Sequence, residues 1–123
     1  MTDSSLEDRV VDFITERGGG VSFVELESEF PEEFEGQEHA MCFADYENII
    51  LWHPVSPAMI GALTSASNNG RIMMKPAPQI VYLVDGKFLK IPLARKLHHY
   101  KTLRWLPVTF GLGKSGTRKG DET

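Results

Sequence analysis

The second half of the chain gathers positive charge around two aromatic residues, Tyr100 and Trp105. Between Asp85 and Asp121 the sequence contains no acidic residue. The cations nearest to the two rings are Lys87, Lys90, Arg95, Lys96, Lys101 and Arg104. Such a group attracts phosphates, and each phosphate that it neutralises releases condensed counterions, so that binding weakens as salt rises. The segment therefore predicts contact with a nucleic acid.

Acidic and basic residues are separated along the whole chain. Through Ser56 the sequence holds fourteen acidic and two basic residues, and from Pro57 onward it holds eleven basic and three acidic ones. The formal net charge of −4 conceals this asymmetry, and a basic half with few acids attracts polyanions whatever the sign of the total. Two other interpretations stay open, because the cations could form a solvated face or pair with the acidic half of another copy.

Three patterns that could indicate other chemistry lack what that chemistry requires. Residues 113–115 match the end of a nucleotide phosphate loop, but Val108 stands where its first glycine is needed. His39 and Cys42 have ligand-like spacing, yet one cysteine with scattered histidines does not define a zinc site. The many carboxylates show no pairing in an apolar pocket. We expect Cys42 to be a buried structural residue, and we expect no catalytic site, metal or cofactor.

Length and composition are typical of a small soluble protein. At 123 residues the chain can bury an apolar core without disulfides or metal. We expect one domain over residues 1–110 and a flexible polar tail over residues 111–123. The single cysteine and the lack of a charged and apolar leader favour the cytoplasm. No membrane partner is expected, because apolar runs such as residues 80–84 are far shorter than the roughly 20 residues of a spanning helix.

Apolar spacing and capping residues predict three helices. The first spans residues 5–17, with Ser4 beginning a Ser-x-x-Glu capping box and three glycines ending the helix. The second follows a similar box at Ser22 and ends before Pro31. The third spans residues 56–68, with a serine as its N-cap and a proline at its first helical position.

Short extended segments separate and follow these helices. They cover residues 21–23, 39–43, 48–52 and 71–75. The middle two of these segments predict a hairpin. Two apolar runs, residues 80–84 and 87–91, flank an Asp85-Gly86 turn and predict a second β-hairpin. A short helix over residues 92–99 and a last strand or arm over residues 103–110 complete the prediction.

The order of helix, short strand, small helix, capped helix and β-hairpin resembles the winged helix-turn-helix superfamily over residues 6–92. The resemblance implies an α+β fold of three helices with a β-hairpin wing, a hairpin insertion before the third helix, and a short C-terminal helix or arm. Residues 56–68 would be the recognition helix. The wing would be formed by residues 71–75 and 80–84, with its tip at residues 76–78. The polar residues assigned to base contacts are Ser65, Asn68 and Asn69.

We therefore expect a small transcriptional regulator that binds duplex DNA through its third helix, wing and basic C-terminal segment, as a monomer or a homodimer. The phosphate contacts are assigned to Arg71, Lys75, Lys87, Lys90, Arg95, Lys96, Lys101 and Arg104.

Other functions stay open. The acidic half could dock on a basic protein, opposite charges could assemble copies head to tail, or organised acidity could mimic DNA. Tyr100, Arg104 and Trp105 would also suit single-stranded nucleic acid, whose bases stack on aromatic rings. The alternative for Trp105 is that it packs the arm onto the core, which the usual burial of large apolar side chains favours.

Overall fold

The computed structural model describes residues 5–43, 45–87 and 89–113, which form an α+β fold. The helices of this part of the chain are α1 (Leu6–Arg17), α2 (Phe23–Glu29), α3 (Pro57–Asn68) and α4 (Gln79–Asp85), with a 3-10 turn at Pro31–Glu33. The strands are β1 (Val21–Ser22), β2 (Met41–Cys42), β3 (Ile49–Trp52), β4 (Ile72–Pro76), β5 (Arg104–Trp105) and β6 (Val108–Leu112).

Two three-stranded sheets hold these strands. In the first sheet, β6 lies between β1 and β4 and is antiparallel to both. In the second, β3 lies between β2 and β5; it is antiparallel to β2, which confirms the predicted first hairpin, and parallel to β5. Residues 77–107, here called the insert, therefore leave the first sheet after β4 and return to it at β6.

Helix α1 packs against α3 through its apolar stripe. Val10 and Ile14 are fully buried, as the spacing predicts. The helix is capped by Ser5, whose Oγ accepts a hydrogen bond from the Asp8 N–H at 3.1 Å, one residue later than predicted. The predicted cap, Ser4, lies outside the described residues.

Helices α2 and α3 begin where their capping residues predict. The Oγ of Ser22 accepts from the Glu25 N–H, and the Glu25 carboxylate accepts from the Ser22 N–H, which completes the capping box. The Oγ of Ser56 accepts from the Met59 N–H at 2.9 Å, and proline occupies the first turn. Each such cap is worth about 1 kcal/mol.

Aromatic side chains join the two sheets in one core. They are Phe23, Trp52, Tyr82, Trp105 and Phe110, each at most 2% exposed. Phe23 stacks on Trp52 at 5.8 Å, and Tyr82 meets Trp105 edge-on at 5.1 Å. The Tyr82 hydroxyl accepts from the Phe23 N–H at 3.0 Å and donates to the Val108 carbonyl at 2.6 Å. Burial raises the pKa of Tyr82 well above its usual range, so the hydroxyl stays neutral and ties α4 to both β6 and α2.

The predicted hairpin of residues 80–84 and 87–91 is wrong. Residues 79–85 form α4, and Gly86 ends the helix in the left-handed conformation at φ 93°. A glycine with positive φ suits a hairpin turn and a helix C-cap equally, and a five-residue apolar run does not distinguish strand from helix. The buried contacts of Tyr82 decide for the helix. The strand that pairs with β4 is accordingly β6, and not residues 80–84 as predicted.

Two further predictions about the insert are corrected. Residues 92–99 form no helix, because Leu93 makes a parallel bridge with Trp105 and the chain turns after Ala94. The single last strand over residues 103–110 is divided between the two sheets at Pro107, which has no N–H to donate. The helix over residues 92–99 was predicted from Leu93 and Leu97, and one pair of leucines four residues apart does not distinguish a helix from a loop.

Residues 111–113, predicted to belong to a flexible tail, are part of the fold. Gly111 and Leu112 belong to β6, and the Gly113 N–H donates to the Arg71 carbonyl at 3.1 Å. A Cβ on Gly113 would lie 2.1 Å from the Gly70 carbonyl oxygen, so only glycine fits this approach. Residues 114–123, with Lys114, lie outside the described residues.

Candidate nucleic-acid interface

Residues 89–104, here called the basic segment, carry five cations and no acidic residue. The segment first runs beside β5, where the Trp105 N–H donates to the Pro92 carbonyl and the Ala94 N–H donates to the Trp105 carbonyl, both at 2.8 Å. These bonds extend the second sheet by one short parallel stretch. Residues 95–103 then form a surface loop that returns to the start of β5.

Tyr100 holds this loop closed. Its hydroxyl accepts hydrogen bonds from the backbone N–H groups of Arg95 and Lys96, each at 3.1 Å, and donates to the Lys96 carbonyl at 3.0 Å. The ring lies 4.0 Å from the His98 ring and under the Arg104 guanidinium, 4.8 Å from the centroid. One side chain thus fixes the backbone that carries two exposed cations.

The loop is fastened to the turn between β2 and β3. The Asn48 side-chain amide donates to the Tyr100 carbonyl at 2.7 Å, and the Arg104 N–H donates to the Asn48 carbonyl at 2.7 Å. Asn48 has a positive φ of 64°, a conformation that asparagine tolerates better than most residues. The Glu47 N–H donates to Nδ1 of His99 at 3.2 Å, which adds a further bond between the turn and the loop.

Four side chains of the basic segment are free cations. They are Lys90, Arg95, Lys96 and Lys101, all exposed. Within the described ranges no carboxylate lies at ion-pair distance from any of them. Glu47 in the neighbouring turn is exposed and bonds His99 through its backbone N–H, and Glu27 of α2 lines a cleft with Lys90. The loop therefore presents more positive charge than its surroundings neutralise.

Arg95 and Lys96 also line a cleft of about 470 Å³. Another wall is formed by Pro76 to Gln79, from the end of β4 to the start of α4, and the Ala77 N–H donates to the Pro107 carbonyl at 2.9 Å. The exposed Lys75 directly precedes this wall. The fold thus brings residues 76–79, which follow Lys75 in the chain, to the same cleft as Arg95 and Lys96.

Arg104 is directed inward. Its guanidinium donates to the Leu93 carbonyl at 3.3 Å and covers the Tyr100 ring, and its Nε is buried with no acceptor among the described residues. Arg104 therefore stabilises the loop and does not project from it as the four free cations do.

Two of the residues predicted to grip phosphates are already paired with acidic residues of the first half. The Arg71 guanidinium lies 2.9 Å from the Asp8 carboxylate and 3.2 Å from that of Glu7. The hydrogen bond from Arg71 lowers the pKa of Asp8, and its bond to Asp8 raises the pKa of Arg71. The Lys87 ammonium lies 2.6 Å from the Glu27 carboxylate. These cations join elements of the fold and leave less charge for a ligand.

Helix α3 presents small and polar groups. Asn68 is exposed, while Asn69 caps the helix and its amide lies 3.4 Å from the Ser65 hydroxyl. The helix contains no charged residue. The nearest charges after its end are those of Arg71 and its two acidic partners on α1. The surface around α3 therefore has little positive potential.

Trp105 is fully buried and donates from its Nε1 to the Leu51 carbonyl, so it cannot stack on bases as one sequence interpretation required. Cys42 is exposed on β2, and the expectation of a buried thiol is wrong. Strand β2 is at a sheet edge and alternates one buried and one exposed residue, which places Cys42 outside. Among the described residues no three His, Cys, Asp or Glu side chains are grouped to hold a metal ion.

The free cations are visible in the sequence, but the contacts that support them are not. The roles of Tyr100 and Asn48 depend on contacts across the fold, and the only local signal was the isolated tyrosine within the cationic run. The chain matches no protein-family model, no curated protein and no solved structure. None of the described helices has the length and apolar character needed to cross a membrane.

Proposed function

We propose that this protein is a non-enzymatic nucleic-acid-binding protein, a small regulator that holds duplex DNA chiefly through the basic segment. The observation that carries the proposal is the loop of residues 95–103, with exposed cations on a backbone fixed by Tyr100. Phosphate contacts are assigned to Lys75, Lys90 and the cations of that loop. Preorganised cations lose less side-chain and backbone entropy on binding than cations of a mobile tail.

A winged-helix arrangement is the fold that we propose for this function. The order α1, β1, α2, α3 followed by an antiparallel strand pair supports it, with β4 and β6 as the pair. The insert would then replace the short tip of a wing. Residues 31–55 would be the insertion between the second and third helices. In this arrangement the enlarged wing, and not α3, supplies most of the binding free energy, while Asn68, which is exposed, remains the side chain of α3 that we assign to a base contact.

Fluorescence anisotropy with a labelled mixed-sequence duplex, and with a single strand of equal length, tests the proposal across a salt series. The five assigned phosphate contacts predict a slope of log Kobs against log salt of about −4.5 for the duplex, from about −0.9 per contact. Stronger binding of the single strand would assign the surface to unpaired nucleic acid. Binding that is absent at low salt, or independent of salt, contradicts the proposal.

A second candidate function is a protein-interaction module, either on a basic partner or between copies of opposite charge. Exposed carboxylates at the end of α2 and in the segment that follows favour it, namely Glu29, Glu32, Glu35 and Glu38. None of them makes an ion pair within the described residues. Size-exclusion chromatography without nucleic acid tests the assembly of copies, because assembly through charge is lost at high salt. A protein that stays monomeric at every salt concentration contradicts assembly through opposite charges.

A further inference from the structure

The cleft beside Arg95 and Lys96, here called the loop cleft, has mostly apolar walls. Its volume of about 470 Å³ lies within the range of roughly 300–1,000 Å³ that is usual for small-molecule sites. The apolar residues that line it are Pro76, Ala77, Pro78, Leu93, Ala94, Leu97, Leu106 and Pro107. A cleft of this size and lining suits the apolar part of an organic molecule.

Hydrogen bonds hold the walls of the loop cleft in place. The Ala77 N–H donates to the Pro107 carbonyl at 2.9 Å, which joins the proline-rich wall to the start of β6. The Ala94 N–H donates to the Trp105 carbonyl at 2.8 Å, which joins the leucine-rich wall to β5. The Tyr100 hydroxyl fixes the backbone of the two cations. A ligand therefore meets a site that needs little ordering, and this lowers the entropic cost of binding.

The charged groups of the loop cleft are both positive. Arg95 and Lys96 are exposed and make no ion pair within the described residues. None of the described residues that line the cleft is acidic, and Gln79 adds a side-chain amide. Such a site attracts an anion. The planar guanidinium of an arginine can bond two oxygens of one carboxylate or phosphate group.

The apolar walls and the two cations together define the kind of ligand. Contact with the phosphates of DNA would use the cations, but it gives no role to the proline and leucine side chains beside them. An inorganic anion would leave the same walls unoccupied, and a neutral apolar molecule would leave the cations without a partner. A molecule that carries an apolar part and an anionic group uses both.

We propose that the loop cleft binds a small organic anion. Its carboxylate or phosphate group pairs with Arg95 and Lys96, and its apolar part lies between the proline-rich and leucine-rich walls. The two cations are also assigned to DNA, so a bound ligand competes with DNA. This competition, unlike the binding site itself, rests on the proposed function.

Sodium hexanoate is the probe that tests the site, with isotope-labelled protein followed by heteronuclear NMR at constant ionic strength. The backbone amide signals of Ala77, Ala94 and Leu97 should shift together, with a dissociation constant of about 1 mM or lower. Hexanol lacks the charge and sodium acetate lacks the chain, so each should bind at least about fivefold more weakly. Titration with hexyl phosphate shows whether the cations prefer a phosphate or a carboxylate.

Two variants separate the walls from the charges. Ala77→Leu fills the cleft but keeps both cations, and it should weaken hexanoate and hexanol at least about fivefold. Ala58→Leu, which adds the same group at an exposed position of α3, is the matched control and should bind as wild type. The double variant Arg95→Gln with Lys96→Gln should weaken hexanoate about tenfold and leave hexanol unchanged. Both of its positions are exposed, so this variant keeps the test decisive if Ala77→Leu does not fold.

Three results would overturn the site: no shift of the cleft amides with hexanoate, binding no stronger than that of acetate or hexanol, or binding unchanged in both variants. Competition is measured by anisotropy, where saturating hexanoate should lower duplex affinity at least about fivefold relative to equal acetate. Ala77→Leu should abolish that difference, and unchanged DNA affinity would contradict competition. The NMR titrations contain no DNA, so failure of the ligand site and failure of nucleic-acid binding are distinguishable.

Discussion

Helix α3 and the basic segment are both exposed, but they differ in how their charges are arranged. Helix α3 is uncharged, and the arginine that follows it, Arg71, is engaged by Glu7 and Asp8. The basic segment carries cations without ion-pair partners in the described structure, on a loop closed by Tyr100. The potential available to a ligand therefore depends on which cations the fold leaves unpaired, and not on their number in the sequence.

The largest expected effect comes from removing the free cations together. Replacing Lys90, Arg95, Lys96 and Lys101 by alanine should lower duplex affinity about 100-fold or more at low salt and reduce the salt slope by about 3.6. Alanine at Thr64 and Asn68 of α3 should change affinity less than about threefold, because neither side chain neutralises a phosphate. Anisotropy titrations of both variants check this. A larger loss of affinity in the α3 variant would show that α3, and not the basic segment, makes the main contact.

Tyr82→Phe tests how much the hydrogen bonds of Tyr82 stabilise the packing of the insert against the first sheet. The change leaves the buried Phe23 N–H and the Val108 carbonyl without a partner, which should lower the free energy of unfolding by about 1–3 kcal/mol. Urea denaturation measures it. Because burial raises the Tyr82 pKa, its stabilising contribution is complete below the unfolded value near 10 and is lost as pH rises towards the folded pKa. The wild-type protein, and not the variant, should show that alkaline loss.

Tyr100→Phe separates charge from preorganisation. The variant keeps every cation but loses the hydroxyl that binds the backbone of Arg95 and Lys96. Duplex affinity should fall about 3- to 10-fold because the loop must be ordered on binding, while unfolding free energy changes by less than about 1 kcal/mol. Anisotropy and denaturation are measured in parallel. Unchanged affinity would show that the cations act without the support of Tyr100.

A pair of single substitutions compares a free cation with a paired one. Lys96→Ala should lower duplex affinity about fivefold and the salt slope by about 0.9. Lys87→Ala should have a smaller effect, because Glu27 already neutralises that ammonium. Equal losses of affinity and salt slope in the two variants would mean that the Lys87–Glu27 ion pair opens when DNA binds.

The smallest effect is expected from Arg71→Met. The variant should be less destabilised than Tyr82→Phe, because the pair with Asp8 is near the surface. Arg71 lowers the pKa of Asp8, so the stabilisation is complete above the unfolded value near 3.8 and is lost as pH falls through the folded pKa. The stability difference between wild type and variant should therefore shrink in acid. Thermal unfolding at neutral and acidic pH checks it.

Local chemistry made the first half of the fold predictable. The capping box at Ser22 and the cap at Ser56 act within three residues, so the sequence alone locates α2 and α3. The insert could not be predicted in the same way. The conformation of residues 80–84 depends on Tyr82 reaching Phe23, 59 residues away in sequence.

The candidate site shows the same limit. The cationic run was visible in the sequence, but the partners of Arg71 and Lys87 are about 60 residues distant. No periodicity or spacing reports such pairs. The support given by Asn48 to Tyr100 spans 52 residues and was equally invisible.

The central position of β6 has a consequence for synthesis on the ribosome. Strands β1 and β4 both find their partner only in residues 108–112, near the end of the described chain. Until those residues leave the exit tunnel, both strands keep unpaired backbone groups, and the nascent protein exposes edges that favour aggregation. Formation of the first sheet therefore has to wait for residues 108–112 to emerge.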